Sequence, residues 1–169
     1  MSDDVGYGRV AALVPAAGRG ERLGPGAPKA IREIAGTPML VYAVKALAAT
    51  PVVDVVVVAA PSDYRDDVGS LLQPQEFSAE VFVVAGGESR SESVARALIA
   101  LPDDVDVVLV HDAARPLVPP EVITNVVAAV RNGHAAVVPV VPLVDTIRTV
   151  TGDASLGATV SRDSLRAVQ

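Results

Sequence analysis

The sequence predicts an α/β fold, a doubly wound and mostly parallel sheet, on three observations. Strand-length apolar runs alternate with helix-length amphipathic segments along most of the chain, the rhythm of repeated β-α-β units with right-handed crossovers. Hydrophobic residues make up 50% of the chain but aromatic ones only 3%, so the core has to be built from Val, Ala and Leu, as suits strands covered by helices on both faces. Glycine-rich or polar clusters directly follow several of the runs, which brings them to one edge of the sheet, where such folds hold ligands at the carboxyl ends of their strands.

The elements follow in order. Val10–Val14 reads as a short buried strand. Thr37–Ala49 reads as a helix, with Thr37 as N-cap and Pro38 at the first helical position. Asp54–Ala60 (DVVVVAA) is a second buried strand, and Pro61–Leu72 a helix entered through Ser62. Glu80–Ala85 is a strand, then Gly86-Gly87 leads into a helix from about Ser91 to Leu101, with Ser91 the expected cap. Val105–Val110 is a buried strand, Pro119–Asn132 a helix opened by Pro-Pro-Glu, and Ala135–Val140 a further strand. After Pro142 the pattern changes: Asp145–Val150 and Gly157–Val160 are short β segments joined by Thr151-Gly152-Asp153, a hairpin projecting from the domain.

Composition narrows the function classes. At 169 residues the chain is one domain by length and large enough for a real core. A net charge of −6 argues against bulk binding of nucleic acid or a membrane surface, so a phosphate site would be a local basic focus in an acidic protein. With no cysteine, a disulfide framework and a thiolate metal site are both out of reach. Met1 to Arg9 is polar and unlike a signal peptide, and no apolar run reaches membrane-spanning length; a soluble cytoplasmic protein is expected.

The stretch from Val14 to Lys29 carries the most chemistry. Gly18, Gly20 and Gly24 allow a tight backbone approach to a ligand, Arg22 and Lys29 put fixed positive charge in the same loop, and Pro28 fixes the chain before the lysine. Backbone N–H donors with fixed cations suit a polyphosphate. The loop is neither a P-loop nor a complete dinucleotide fingerprint, so it would bind phosphate in another way. In Val110-His-Asp-Ala-Ala-Arg-Pro116, Asp112 stands just after a buried strand, where a hard carboxylate facing a phosphate loop suits Mg2+; a turn or capping Asp is the plainer reading. His111 reads as a structural hydrogen-bonding residue, and Arg115 as either a phosphate clamp or an ion-pair partner.

PAAGRGERLGPGAPK, GGESRSESV, VHDAARP, PLVDTI and SRDSLRAVQ, in that order and spacing, resemble the 2-C-methyl-D-erythritol 4-phosphate cytidylyltransferase family, and the resemblance covers nearly the whole chain. It implies a Rossmann-like nucleotide-diphosphosugar transferase fold with a projecting β-arm. It also implies transfer of CMP from CTP to 2-C-methyl-D-erythritol 4-phosphate, giving 4-diphosphocytidyl-2-C-methyl-D-erythritol and pyrophosphate, in the non-mevalonate route to isoprenoids. By position, it assigns Arg22 and Lys29 to catalysis, and Ala16, Ala17, Gly18, Gly87, Glu88 and Ser93 to the CTP pocket. Asp112 takes Mg2+ or another divalent cation, and Arg115, Thr146 and Arg162 grip the polyol phosphate, with Arg162 reaching a neighbouring subunit on an exchanged arm. The implied organisation is a nucleotide-binding α/β domain over 1–141, a β-arm for homodimerisation over 142–163, and over 164–169 the start of a returning C-terminal part. The family pattern carries that part past Gln169 into a strand, a closing helix and a substrate-site lysine. Rival readings are a ribitol-5-phosphate cytidylyltransferase, a sugar-1-phosphate nucleotidylyltransferase, and a non-catalytic CTP-binding protein.

Overall fold

A computed structural model describes residues 7–18 and 28–169. β1 (Arg9–Pro15) leads, beyond a 3-10 turn at Lys29–Ile31, to a small hairpin of β2 (Glu33–Ile34) and β3 (Thr37–Pro38). Ala35 and Gly36 both have positive φ there, the two-residue turn that matches strand twist. Then follow α1 (Met39–Ala48), β4 (Val55–Ala60), a 3-10 turn at Ser62–Tyr64, α2 (Arg65–Leu72), β5 (Glu80–Ala85), α3 (Arg90–Ile99), β6 (Val105–Val110) and α4 (Pro120–Arg131). The chain continues through β7 (Val140–Pro142), β8 (Ile147–Val150), β9 (Leu156–Val160) and β10 (Arg166–Val168).

The main sheet has the order β5-β4-β1-β6, and every pairing in it is parallel. β1 and β4 lie in the middle: Val10 to Val14 and Val55 to Ala60 are fully buried, whereas β6 at the edge leaves Val108 and Val110 nearly half exposed. This is why the central strands are continuously apolar.

Strand alternation divides the core. Ala12, Val14, Val56 and Val58 pack with Leu40, Val44 and Leu47 of α1, Val68 and Leu72 of α2 and Ile123 of α4. Ala11, Leu13, Val55, Val57 and Ala59 face the other way, toward Ala97 and Val94 of α3. The crossover from β5 to β6 therefore runs on the opposite face from those before it, and the winding reverses between β1 and β6. The carboxyl ends of those two strands flank the crevice where such sheets bind ligands.

The opposite ends of the strands are tied by charge. The Asp54 carboxylate accepts the Val10 N–H at 2.8 Å, and Asp106 accepts the Gly8 N–H at 2.9 Å. Arg9 pairs with Glu80 at 2.8 Å, and Arg131 donates to the Gly8 carbonyl while lying 4.6 Å from the centre of the Tyr7 ring.

Several expected boundaries move. The first helix starts at Met39, because Thr37 and Pro38 are used in the hairpin with Glu33 and Ile34. Ser62 opens a 3-10 turn and α2 proper begins at Arg65. Residues 135–139 are not a strand; β7 runs from Val140 to Pro142 and pairs antiparallel with β10, outside the main sheet. Pro139 and Pro142 lack the N–H that a central strand must donate, which suits a short two-stranded ribbon better. The hairpin is present as β8 and β9, with a longer turn than expected: Asp153 accepts from Thr151 and Ser155, and Ala154 takes φ 64°. Those hydrogen bonds push the Asp153 carboxyl down to about 2.

Candidate functional site

Three strand ends build the site. After β1, Ala16 is buried and its N–H donates to the Ala59 carbonyl at 2.9 Å, which holds the outgoing chain against β4; Ala17 is half-buried and Gly18 exposed. After β5, the Gly86 N–H donates to the Ala60 carbonyl. A Cβ on Gly86 would fall 2.6 Å from Ala17 Cβ and 3.1 Å from Ser93 Oγ, so this close approach requires glycine. The loops leaving β1 and β5 thus touch.

α3 shapes the second loop. Its N-cap is Ser89, whose Oγ accepts the Glu92 N–H at 3.1 Å, and not Ser91, which is exposed at the second helical position. Ser89-x-x-Glu92 is a capping-box spacing, readable in the sequence, and it explains where the helix begins. Here the Glu92 carboxylate reaches back one residue further, to the Glu88 N–H at 2.9 Å. That hydrogen bond, then the Arg96 guanidinium, holds the Glu92 carboxyl below its usual range. Ser93 is buried; its Oγ accepts the Gly87 N–H at 3.0 Å and donates to the Ser89 carbonyl at 2.9 Å. Gly87 and Ser93 are therefore direct partners, while the Glu88 side chain is exposed.

After β6, the His111 N–H continues the ladder by donating to the Leu13 carbonyl at 2.9 Å. His111 Nε2 lies 2.9 Å from the Arg115 carbonyl oxygen, which can only accept, so the ring donates through Nε2–H and closes the 111–115 turn. Burial pushes its pKa below the ordinary histidine value. His111 is thus the structural residue expected. Asp112 is partly exposed at the sheet's edge, and its Oδ1 receives both Nε and Nη2 of Arg90 at 2.9 Å. Arg115 Nε stands 4.0 Å from Asp112 Oδ2, so the fold joins those two predicted residues as an ion pair. Arg90, the first residue of α3, went unremarked in the sequence; an arginine just after Gly86-Gly87 was its only signal. Through it, the loop after β5 is tied to the end of β6.

The remaining predicted residues fall elsewhere. Arg162 donates to the carbonyls of Val144 and Asp145, the residues just before Thr146 in the chain; among the described residues, no hydrogen bond joins Arg162 or Thr146 to Asp112 or Arg115. Lys29 opens a 3-10 turn between the buried Pro28 and Ala30, closed by the Ile31 N–H on the Pro28 carbonyl at 3.0 Å. Arg22, Gly20 and Gly24 lie outside the described residues.

Residues 10–169 match the family model described as 2-C-methyl-D-erythritol 4-phosphate cytidylyltransferase. Among curated relatives bearing that name, one from Frankia casuarinae is 56% identical over 161 residues, covering 95% of this chain and 59% of its own. One from Streptomyces avermitilis is 52% identical over 181 residues, covering 100% and 72%. The chain thus spans 59% of the length of the first of these relatives. Among solved structures, a 4-diphosphocytidyl-2C-methyl-D-erythritol synthase from Anaerococcus prevotii superposes with TM-score 0.80 over 96% of this chain and 68% of its own; at 23% identity it speaks for the fold alone. A 2-C-methyl-D-erythritol 4-phosphate cytidylyltransferase from Francisella tularensis gives TM-score 0.71 at 26% identity, over 95% and 70%. With its winding reversal, its strand-end loops and a match from Val10 to Gln169, the chain belongs to the 2-C-methyl-D-erythritol 4-phosphate cytidylyltransferase family.

Proposed function

We propose that the protein transfers CMP from CTP to 2-C-methyl-D-erythritol 4-phosphate, releasing pyrophosphate, as a soluble cytoplasmic nucleotidyltransferase of isoprenoid biosynthesis. The observation that carries this reading is the meeting of three strand ends: Ala17 against Gly86, and the helix that follows Gly86-Gly87 tied through Arg90 to Asp112. No described helix is long and apolar enough to cross a membrane.

The chemistry needs no protein nucleophile. An oxygen of the acceptor phosphate bonds to the α-phosphorus of CTP while the bond to the bridging oxygen of pyrophosphate breaks, and the electron pair leaves with pyrophosphate. Ala16, Ala17, Gly18, Gly87, Glu88 and Ser93 hold the nucleotide, with Ser93 fixing the Gly87 backbone. Arg22 and Lys29 neutralise charge that builds on the phosphates. Arg115, Thr146 and Arg162 orient the acceptor. Asp112 fits a divalent cation as a single hard donor; no trio of His, Cys, Asp or Glu stands close enough to hold a metal among the described residues. Mg2+ commonly takes one or two carboxylates and fills its shell with phosphate oxygens and water, and when bound it supplies charge neutralisation at the triphosphate.

The test is pyrophosphate release from CTP and from UTP with methylerythritol phosphate as acceptor. CTP should be faster by about 10² or more, because cytosine offers a 4-amino donor where uracil has an acceptor and a site built for the donor leaves polar groups unpaired with the wrong base. Equal rates with UTP, or faster turnover with ribitol 5-phosphate, would sink the assignment.

The arm supports a homodimer. Val150 and Leu156 are well exposed on a two-stranded hairpin, and Val144 on the segment leading into it; such a hairpin is marginal alone in water. A two-fold exchange of arms would cover them and bring Arg162 to the neighbour's site. Mixing an Arg22→Ala protein with an Arg162→Ala protein should then restore part of the activity, since one hybrid site holds both residues. No complementation, or a monomer by light scattering at micromolar concentration, removes the exchanged arm.

A further inference from the structure

We propose that Arg96, acting with Glu92, is the positioning residue that sets the shape of the 86–88 loop for nucleotide binding. This rests on the reading of that loop as part of the CTP pocket. Three consecutive loop residues are each gripped by a side chain of α3. Arg96 Nη1 donates to the Gly86 carbonyl at 2.7 Å, Ser93 Oγ accepts the Gly87 N–H at 3.0 Å, and Glu92 Oε2 accepts the Glu88 N–H at 2.9 Å. Arg96 is the common member, because its Nη2 donates to Glu92 Oε1 at 2.6 Å.

A solvated i,i+4 ion pair would add little by itself. Here the same guanidinium leaves the helix to hold a loop carbonyl while orienting the carboxylate that holds the next loop amide but one. Only a planar fork with two outward nitrogens makes both contacts at once; a lysine keeps the pair with Glu92 and gives up the bridge. Because Gly86 is wedged between Ala17, the Ala60 carbonyl and Ser93, a shift of this loop also disturbs the loop after β1. The influence of Arg96 thus extends to both sides of the pocket without its touching the ligand.

The experiment measures CTP binding by calorimetry, amide exchange at Gly87 and Glu88 by NMR, and thermal unfolding, for the unsubstituted protein, Arg96→Ala and Arg96→Lys. Arg96→Ala should raise the Kd for CTP by about tenfold, the size of one lost charge-assisted hydrogen bond. It should also speed exchange at Gly87 and Glu88 in the ligand-free protein. Arg96→Lys should recover the unfolding midpoint but not the affinity. An unchanged Kd in Arg96→Ala, or full recovery of affinity in Arg96→Lys, overturns the positioning role. If the unsubstituted protein binds no CTP, the proposed function fails and this inference with it; binding that is indifferent to Arg96 defeats this inference alone.

Discussion

Arg22→Ala and Lys29→Ala should each lower the turnover number by about 10² to 10³, the range for losing one preorganised charge aimed at a transition state. Thermal unfolding should move little. For Lys29 the backbone argues for this separation: the residue sits between the buried Pro28 and Ala30 in a closed 3-10 turn, so the main chain stays anchored when the side chain is cut back. Initial rates of pyrophosphate release at saturating CTP and acceptor are the measurement. A variant with near-normal turnover would remove this loop from phosphate activation. One with unchanged turnover but a raised KM would make the residue a ground-state binder instead.

Asp112→Asn should cost about 10² in turnover at millimolar Mg2+, because an amide oxygen is a poor donor for a hard dication. Mn2+ binding followed by electron paramagnetic resonance gives a second readout and should weaken in parallel. The fold should survive. The contacts Asp112 makes to Arg90 and Arg115 are between partly exposed groups, and such pairs contribute only about 0–1 kcal/mol. An unfolding midpoint that drops along with the rate would identify Asp112 as the brace for Arg90. Unchanged metal dependence would leave it a turn residue.

The central sheet was legible because its strands advertise themselves. Val10–Val14 and the Val55–Ala60 run are buried on both faces, and a continuously apolar segment of strand length bounded by polar residues has few other uses. What went astray turned on pairing partners that local pattern does not record. Ala135–Val140 has the composition of a buried strand, yet Val140, Val141 and Pro142 pair with Arg166–Val168, more than twenty residues on. Thr37-Pro38 looks like a helix start, but a two-residue turn at Ala35-Gly36 draws it into a hairpin. At the candidate site, the glycines and the strand-end acid stood out in the sequence, while the residues that hold them in place were harder to see. Arg90 and Arg96 face outward on an amphipathic helix, and their roles depend on Asp112 and Gly86 arriving from other strands. Ser89 was recoverable, since its spacing to Glu92 is a local signal.

The charged ties at the amino-terminal ends of the strands imply a division of labour along the strand axis. Asp54 and Asp106 use their carboxylates to hold the backbone N–H groups of Val10 and Gly8, and Arg9 and Arg131 link neighbouring segments at that same end. Changes there should lower the stability of the scaffold, and changes at the far end should alter the candidate site. Because the strands are anchored at the bottom as well, side-chain changes in the loops at the top should leave the register of the sheet unchanged.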